Sequence, residues 1–336
     1  MLHRFLYVAM ALVALVATSA LFHAFFPPAI PQGVAAKLQF FTEHKDEFDT
    51  LFLGTSRIYY TVSPEIFDQT TRESGLSTRT FNFGIDAMHP PENFYVLEQI
   101  LKTKPRNLKW VFLEVGDVQT QLHKILGTER AVYWHDWPRT KLTLRKAFNP
   151  RGNAPWFVRI SRLWLARRAF ASHLSLFARQ FANVGRTDYF AWLDRSHPTE
   201  TGVELGPKRD GYRLAGGAMS AQDAVSFQQR LAEHVAEARP SPIDPYADEA
   251  YRDYARQIRQ IGAVPVFVVT PVIFQSPVTF RKSPPPGLLL SFNNCKTYPM
   301  LFDPKVRVDD AHLTKEGAEE FTRLLAREFV RQARQP

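Results

Sequence analysis

The 336-residue sequence contains a single cysteine, Cys295, so the chain cannot form an internal disulfide bond. No second cysteine and no pair of histidines stands at the spacing of a zinc site, and we expect neither a metal nor another cofactor. With 13% aromatic and 22% charged residues, the composition is that of a globular protein and not of a disordered one. A chain of this length can bury a large core, as one elaborated domain or as two.

The segment from Phe5 to Phe26 is almost entirely apolar, follows Arg4 and ends at two prolines. This pattern predicts a single-pass helix in the cell inner membrane, with the rest of the chain in the periplasm or at the cell surface. Thr18-Ser19-Ala20 is also compatible with cleavage of a signal peptide, but the length of the run favours an uncleaved anchor. A buried helix of a soluble protein is disfavoured because the segment is apolar on all sides.

Strands and helices alternate in two separate parts of the chain. Strands are predicted at 49–54, 78–84, 109–115 and 264–270, and helices at 90–102, 248–261 and 315–332. Such alternation predicts a parallel sheet with helices on both faces. We therefore expect an anchor and Pro-rich spacer at 1–33, one α/β domain formed by 34–117 and 248–336, and a mostly helical insertion at 118–247.

The most basic part of the predicted insertion contains no acidic residue. From Arg139 to Arg186 there are eleven Lys or Arg residues and no Asp or Glu, and five of the six tryptophans lie between Trp134 and Trp192. Aromatic residues recur at helical spacing here, and Arg162, Arg167 and Arg168 are candidates for binding an acidic polymer. A helix of this kind also fits a membrane interface, or a core helix with a solvated basic face. Nucleic acid fits the charge but not the export signal.

Ser56 follows the first predicted strand directly, in Gly54-Thr55-Ser56-Arg57. Ligands of open parallel sheets bind at the carboxyl ends of the strands, so this hydroxyl is a candidate nucleophile. Serine and glycine are equally common in turns and helix caps. For Arg57, contact with an anionic ligand and a surface salt bridge are two alternative roles.

A carboxylate three positions before a histidine can orient the imidazole as a base for a serine. Asp309 and His312 have this spacing before the last helix, and Asp86 and His89 repeat it after the second strand. We favour the first pair and expect His89 to line the crevice. Gly84, which ends the second strand, is a candidate oxyanion donor through its backbone N–H.

Gly54-Thr55-Ser56-Arg57, Gly84 and Asp309-x-x-His312 together resemble the motif blocks of the SGNH (GDSL-like) hydrolase superfamily. Within it, the chain is most similar to the exported, anchored branch that includes alginate O-acetyltransferase-like proteins. The resemblance covers both α/β parts and leaves the insertion unmatched. It implies a flavodoxin-like three-layer α/β/α sandwich, with Ser56 as nucleophile and oxyanion donor, Gly84 as second donor, His312 as base and Asp309 as its orienting carboxylate.

The sequence departs from the family pattern at two places. Thr55 stands where the family has aspartate, in a position that does not react. No asparagine follows the third strand, where Asp117 would repel an oxyanion and Gln119 could donate to it. The third oxyanion donor is therefore unassigned.

These observations predict O-acyl transfer to an extracytoplasmic polysaccharide, with a membrane-bound acyl-donor protein as a further partner. Arginines can pair with the carboxylates of an acidic glycan, and tryptophan rings can stack on sugars. Two alternatives remain open, namely an esterase that deacylates the glycan and a non-catalytic glycan-binding or assembly protein.

Overall fold

The computed structural model describes residues 2–25, 30–120, 128–148, 156–182, 201–237, 240–275, 278–283 and 285–334. Contacts divide the chain into two compact units. One unit comprises Met1–Gln32 and Gln119–Thr199, and the other comprises Gly33–Val118 and Glu200–Pro336.

The larger unit is built on a parallel sheet of five strands. Its strands are β1 (Thr50–Gly54), β2 (Thr80–Gly84), β3 (Trp110–Glu114), β5 (Val264–Val269) and β7 (Leu288–Ser291), in the order β2-β1-β3-β5-β7. Every pairing within the sheet is parallel. The order reverses between β1 and β3, and such a reversal opens a crevice at the carboxyl ends of the strands. The α/β class and the parallel sheet predicted from the sequence are thus confirmed.

Strands β1, β2, β3 and β5 are almost fully buried because helices cover both faces of the sheet. On one face lie α4 (Pro64–Glu73) and α12 (Lys315–Ala333), where Phe67 and Phe329 stack with ring centroids 5.8 Å apart. On the other lie α5 (Glu92–Lys102) and α11 (Pro245–Gln260), where Phe94 stacks on Tyr254 at 4.6 Å. The short helix α3 (Ser56–Tyr59) follows β1, and α2 (Gln32–His44) precedes it.

Further elements of this unit come from 200–247, which the sequence predicts to be part of the insertion. Helices α9 (Thr201–Leu205) and α10 (Ala221–Glu237) belong to the unit that holds the sheet, as do the two-residue strands β4 (Ser241–Pro242) and β6 (Val278–Thr279). Phe227 of α10 is fully buried in the core shared by the sheet and α12. The contacts therefore end the insertion near residue 199, about fifty residues before the predicted boundary.

The smaller unit is helical in its described part. It contains α1 (Leu2–Phe25), α6 (Glu129–Tyr133), α7 (Trp137–Phe148) and α8 (Trp156–Ala182). Helix α8 packs against each of the other three. Helix α1 is long and apolar enough, from His3 to Phe22, to span a membrane or to serve as a signal sequence. Trp192 and the rest of 183–200 lie outside the described residues.

Candidate active site

Ser56 is the first residue of α3 and lies just after the end of β1, at the carboxyl edge of the sheet. Thr55 is the N-cap of this short helix, and its hydroxyl accepts the Arg57 N–H at 3.2 Å. Residues with a hydroxyl at this position satisfy a helix N–H that has no acceptor within the helix. The cap thus fixes the turn that presents the Ser56 side chain.

Ser56, His312 and Asp309 form a continuous hydrogen-bonded series. His312 Nε2 lies 2.8 Å from Ser56 Oγ. His312 Nδ1 lies 2.8 Å from Asp309 Oδ2 and 3.0 Å from Oδ1. An ionised Asp309 can only accept, so Nδ1 carries the proton and Nε2 is left to accept from the serine. This is the arrangement in which an imidazole acts as general base towards a hydroxyl.

The Asp309 carboxylate is held by its own loop. Oδ1 accepts the backbone N–H groups of Ala311 at 2.7 Å and His312 at 2.8 Å. Burial opposes ionisation, but the hydrogen bonds from the His312 side chain and from these N–H groups lower the pKa of Asp309 to about 2. The carboxylate is therefore charged at neutral pH.

Arg307 anchors the same loop from inside the protein. Its side chain is fully buried, and its guanidinium donates to the carbonyl oxygens of Leu301 (2.8 Å), Asp310 (2.8 Å), Asp309 (3.1 Å) and Pro271 (3.2 Å). Burial lowers the pKa of Arg307 to about 10, against the raising effect of the neighbouring aspartates. The loop that carries Asp309 and His312 is thus fixed by backbone contacts.

A buried carboxylate, Glu114, supports the other side of the site. Its Oε2 accepts the Thr55 N–H at 2.6 Å, and its Oε1 lies 2.6 Å from Arg57 Nε and 3.2 Å from the Thr270 hydroxyl. The side chains of Arg57 and Glu114 are 7% and 2% exposed, which is incompatible with the surface salt bridge considered for Arg57. Glu114 was missed in the sequence, although it is the only acidic residue in an apolar strand.

Gly84 does not have the free N–H that its predicted role requires. This N–H donates to Asn82 Oδ1 at 2.8 Å, and the Asn82 amide in turn donates to the carbonyl oxygens of Ile58 and Val62. A Cβ at Gly84 would lie 2.4 Å from the Tyr59 backbone nitrogen. The glycine is needed because β2 approaches α3 closely, and the assignment of Gly84 as oxyanion donor is corrected accordingly.

Lys37 of α2 fixes the end of β2. Its ammonium donates to the carbonyl oxygens of Gly84 and Gly211, each at 2.6 Å, and of Asn82 at 3.2 Å. It also lies 3.8 Å from the centroid of the Tyr59 ring. Burial lowers the pKa of Lys37 well below its ordinary value, against nearby carboxylates that raise it. The strand that borders α3 is therefore held by hydrogen bonds from a buried lysine side chain.

The two Asp-x-x-His sequences have different surroundings. Asp86 accepts a hydrogen bond from the Tyr60 hydroxyl at 2.6 Å, and His89 is half-buried where α5 begins, with its carbonyl oxygen accepting the Glu92 N–H. It is His312 that reaches Ser56, and the centroids of the Tyr60 and His312 rings lie 5.8 Å apart in an edge-to-face arrangement. Contact of His89 with a substrate stays a prediction.

The remaining predicted residues lie elsewhere. Arg167 and Arg168 are exposed on α8 in the smaller unit, and the Arg162 side chain lies outside the described side chains. Asp117 and Gln119 are both exposed on the loop after β3. Within the described part of the chain, no group of three or more His, Cys, Asp or Glu side chains is placed to hold a metal ion.

A comparison of the chain with protein-family models gives no match, and a comparison with curated proteins gives none either. The resemblance to the SGNH superfamily therefore depends on the motifs quoted above and on the geometry of the residues that carry them.

Proposed function

We propose that this protein is an extracytoplasmic, serine-dependent O-acyltransferase of the SGNH hydrolase type that acts on an exported or cell-surface polysaccharide. The observation that carries the proposal is the hydrogen-bonded series of Ser56, His312 and Asp309 at the carboxyl edge of a parallel sheet. The finer fold proposal, a flavodoxin-like three-layer sandwich, is supported by the strand order and by helices on both faces of the sheet.

In this mechanism, His312 Nε2 takes the proton of Ser56 Oγ as the oxygen attacks an ester or thioester carbonyl. The Ser56 N–H at the start of α3 is the donor that we assign to the oxyanion. Collapse of the tetrahedral intermediate breaks the bond to the donor's oxygen or sulfur, and His312 returns the proton to that leaving group. Asp309 stabilises the imidazolium throughout.

The second half-reaction repeats these steps in reverse. His312 removes a proton from an acceptor hydroxyl as its oxygen attacks the acyl carbonyl, and it returns this proton to Ser56 Oγ as the bond between the acyl group and Ser56 breaks. A sugar hydroxyl gives transfer, and water gives hydrolysis. Two features support transfer to a glycan: the apolar helix α1, which could hold the enzyme beside a membrane-bound acyl donor, and the exported location that this helix predicts.

The test is acetylation of Ser56 in the full chain. Purified protein in detergent is mixed with an activated acetyl ester, with and without an acidic polysaccharide, and acetyl groups on the protein and the glycan are counted by mass spectrometry. We expect an adduct on Ser56, lost in Ser56→Ala, and acetylated glycan. Ser226→Ala is the control, because that exposed hydroxyl only donates to the Gln222 carbonyl oxygen.

Acetate release without glycan acetylation would assign the protein to the esterases. Equal adduct formation and equal acetate release by wild type and Ser56→Ala would refute the catalytic proposal and leave a glycan-binding or assembly role.

A further inference from the structure

Helix α8 has a buried face and an exposed apolar stripe beside it. Ala166, Ala169, His173 and Leu176 are buried within the smaller unit. The exposed stripe comprises Leu163 (60% exposed), Phe170 (41%), Leu174 (38%) and Phe181 (39%). Their spacing of 7, 4 and 7 residues places them along one line of the helix. Among the described residues, the Phe170 ring contacts that of Phe148 on α7, with centroids 5.8 Å apart, but much of this apolar line stays exposed.

Positive charge accompanies this stripe. Helix α8 contains Arg159, Arg162, Arg167, Arg168 and Arg179 and no acidic residue. Of the described side chains, Arg167 and Arg168 are exposed, and the Arg168 guanidinium lies 5.4 Å from the Trp164 ring, itself 59% exposed. Apolar residues flanked by arginine and tryptophan are typical of helices that lie in a membrane interface.

Helix α1 gives this surface a location. It is the membrane-span candidate of the described chain, and it packs against α8 within one unit. Among the described side chains of α1, Ser19 is buried whereas its neighbours are exposed. Ser19 lies near the C-terminal end of the apolar run, where a helix with its N-terminus in the cytoplasm leaves the membrane. Because α8 packs against α1, it lies beside the membrane-span candidate, and its arginines favour the bilayer surface over the hydrocarbon core.

We propose that α8 lies in the interface of the bilayer that α1 spans, with the stripe of Leu163, Phe170, Leu174 and Phe181 facing the acyl chains and Arg167 and Arg168 binding anionic phospholipid headgroups. Burial in the headgroup region, to a depth of about 5–10 Å, removes the stripe from water. Arginine pairs with phosphate oxygens through two parallel N–H donors. This assignment does not depend on the proposed reaction, because it involves none of the residues assigned to that reaction.

The test measures the depth of single spin labels on the full chain in lipid nanodiscs. Cys295→Ala removes the native thiol, and Leu174→Cys or Phe170→Cys provides the labelling site on the stripe. Ser175→Cys is the matched control, because Ser175 is exposed on the same helix but about 100° from Leu174. Collisions of the label with oxygen, which partitions into lipid, and with a water-soluble nickel chelate are compared in discs containing phosphatidylglycerol.

We expect a several-fold higher oxygen-to-nickel collision ratio at 174 and 170 than at 175. Replacing Arg167 and Arg168 by glutamine should reduce the ratio at 174 in phosphatidylglycerol discs, and reduce it less at high salt. Equal ratios at 174 and 175 would overturn the proposal. The proposal would also be overturned if added acidic polysaccharide shields the label at 174 from nickel to the same extent with and without lipid. That result would identify the stripe as a glycan-binding face. Circular dichroism of each labelled variant checks its folding. One correctly folded variant, labelled at 170 or at 174, is enough to test the proposal.

Discussion

Replacing Glu114 by glutamine should destabilise the larger unit because it leaves the Arg57 guanidinium buried without its countercharge. The two groups are 2.6 Å apart with side chains 7% and 2% exposed, so water and salt screen the pair little. Removing one partner of such a pair costs about 3–5 kcal/mol. For a unit of this size, that loss corresponds to a fall of roughly 6–20 °C in the midpoint of thermal unfolding.

The measurement is thermal unfolding of the full chain in detergent, followed by near-ultraviolet circular dichroism. The control is Glu47→Gln, since Glu47 also lies 2.6 Å from an arginine, Arg79, but in a pair whose side chains are 45% and 63% exposed. That change should cost about 0–1 kcal/mol.

The double variant Arg57→Met/Glu114→Met decides the interpretation. Two apolar side chains of similar volume remove both buried charges, so the double variant should be more stable than Glu114→Met or Arg57→Met alone. If the effects of the single changes simply add in the double variant, the pair is not coupled and the reasoning is wrong.

Two further predictions concern titratable groups. Asp309→Asn keeps an acceptor for the Ala311 and His312 N–H groups but no longer stabilises the imidazolium. We therefore expect kcat for acyl transfer to fall by on the order of 10⁴-fold with little change in KM. An unaltered kcat would exclude the proposed role of Asp309. Burial and the neighbouring His173 lower the pKa of His135 from 6.5 to about 3, so the unfolded chain binds a proton there that the folded chain does not. The free energy of unfolding of the smaller unit should therefore decrease as the pH falls from 6.5 towards 3, and His135→Gln, measured by tryptophan fluorescence during urea unfolding, should flatten this dependence.

Much of the sheet could be predicted because its strands carry a strong local signal. β1, β2, β3 and β5 are apolar runs bounded by turns, and each was expected within two residues of its observed limits. β7 is only four residues long and half-buried, so it has too few positions to show a pattern. Helix α10 was assigned to the insertion by proximity in sequence, whereas the burial of Phe227 in the larger core depends on contacts distant along the chain.

The residues of the candidate site also include some that could be predicted from the sequence and some that could not. Ser56, Asp309 and His312 were predictable because each follows a recognisable local motif. The partnership of Glu114 with Arg57 was not, because the two residues are far apart in sequence and are adjacent only through the pairing of β1 with β3. The role of Gly84 was misjudged since a glycine serves equally for an exposed N–H and for close approach of two backbones.

The buried guanidinium of Arg307 holds the loop of Asp309 and His312 in place through its hydrogen bonds to backbone carbonyl oxygens. The loop that carries Asp309 and His312 is ordered by contacts within the chain, so in the proposed reaction the entropy of aligning these two residues would be lost once, on folding, and not in each turnover. The rings of Phe227 and Phe302 lie 5.0 and 5.7 Å from that guanidinium. If the proposed reaction is correct, substitutions at these two core positions should slow it by disturbing the position of the loop. Selection for the proposed reaction would then act on the hydrophobic core behind this loop as well as on Ser56, Asp309 and His312.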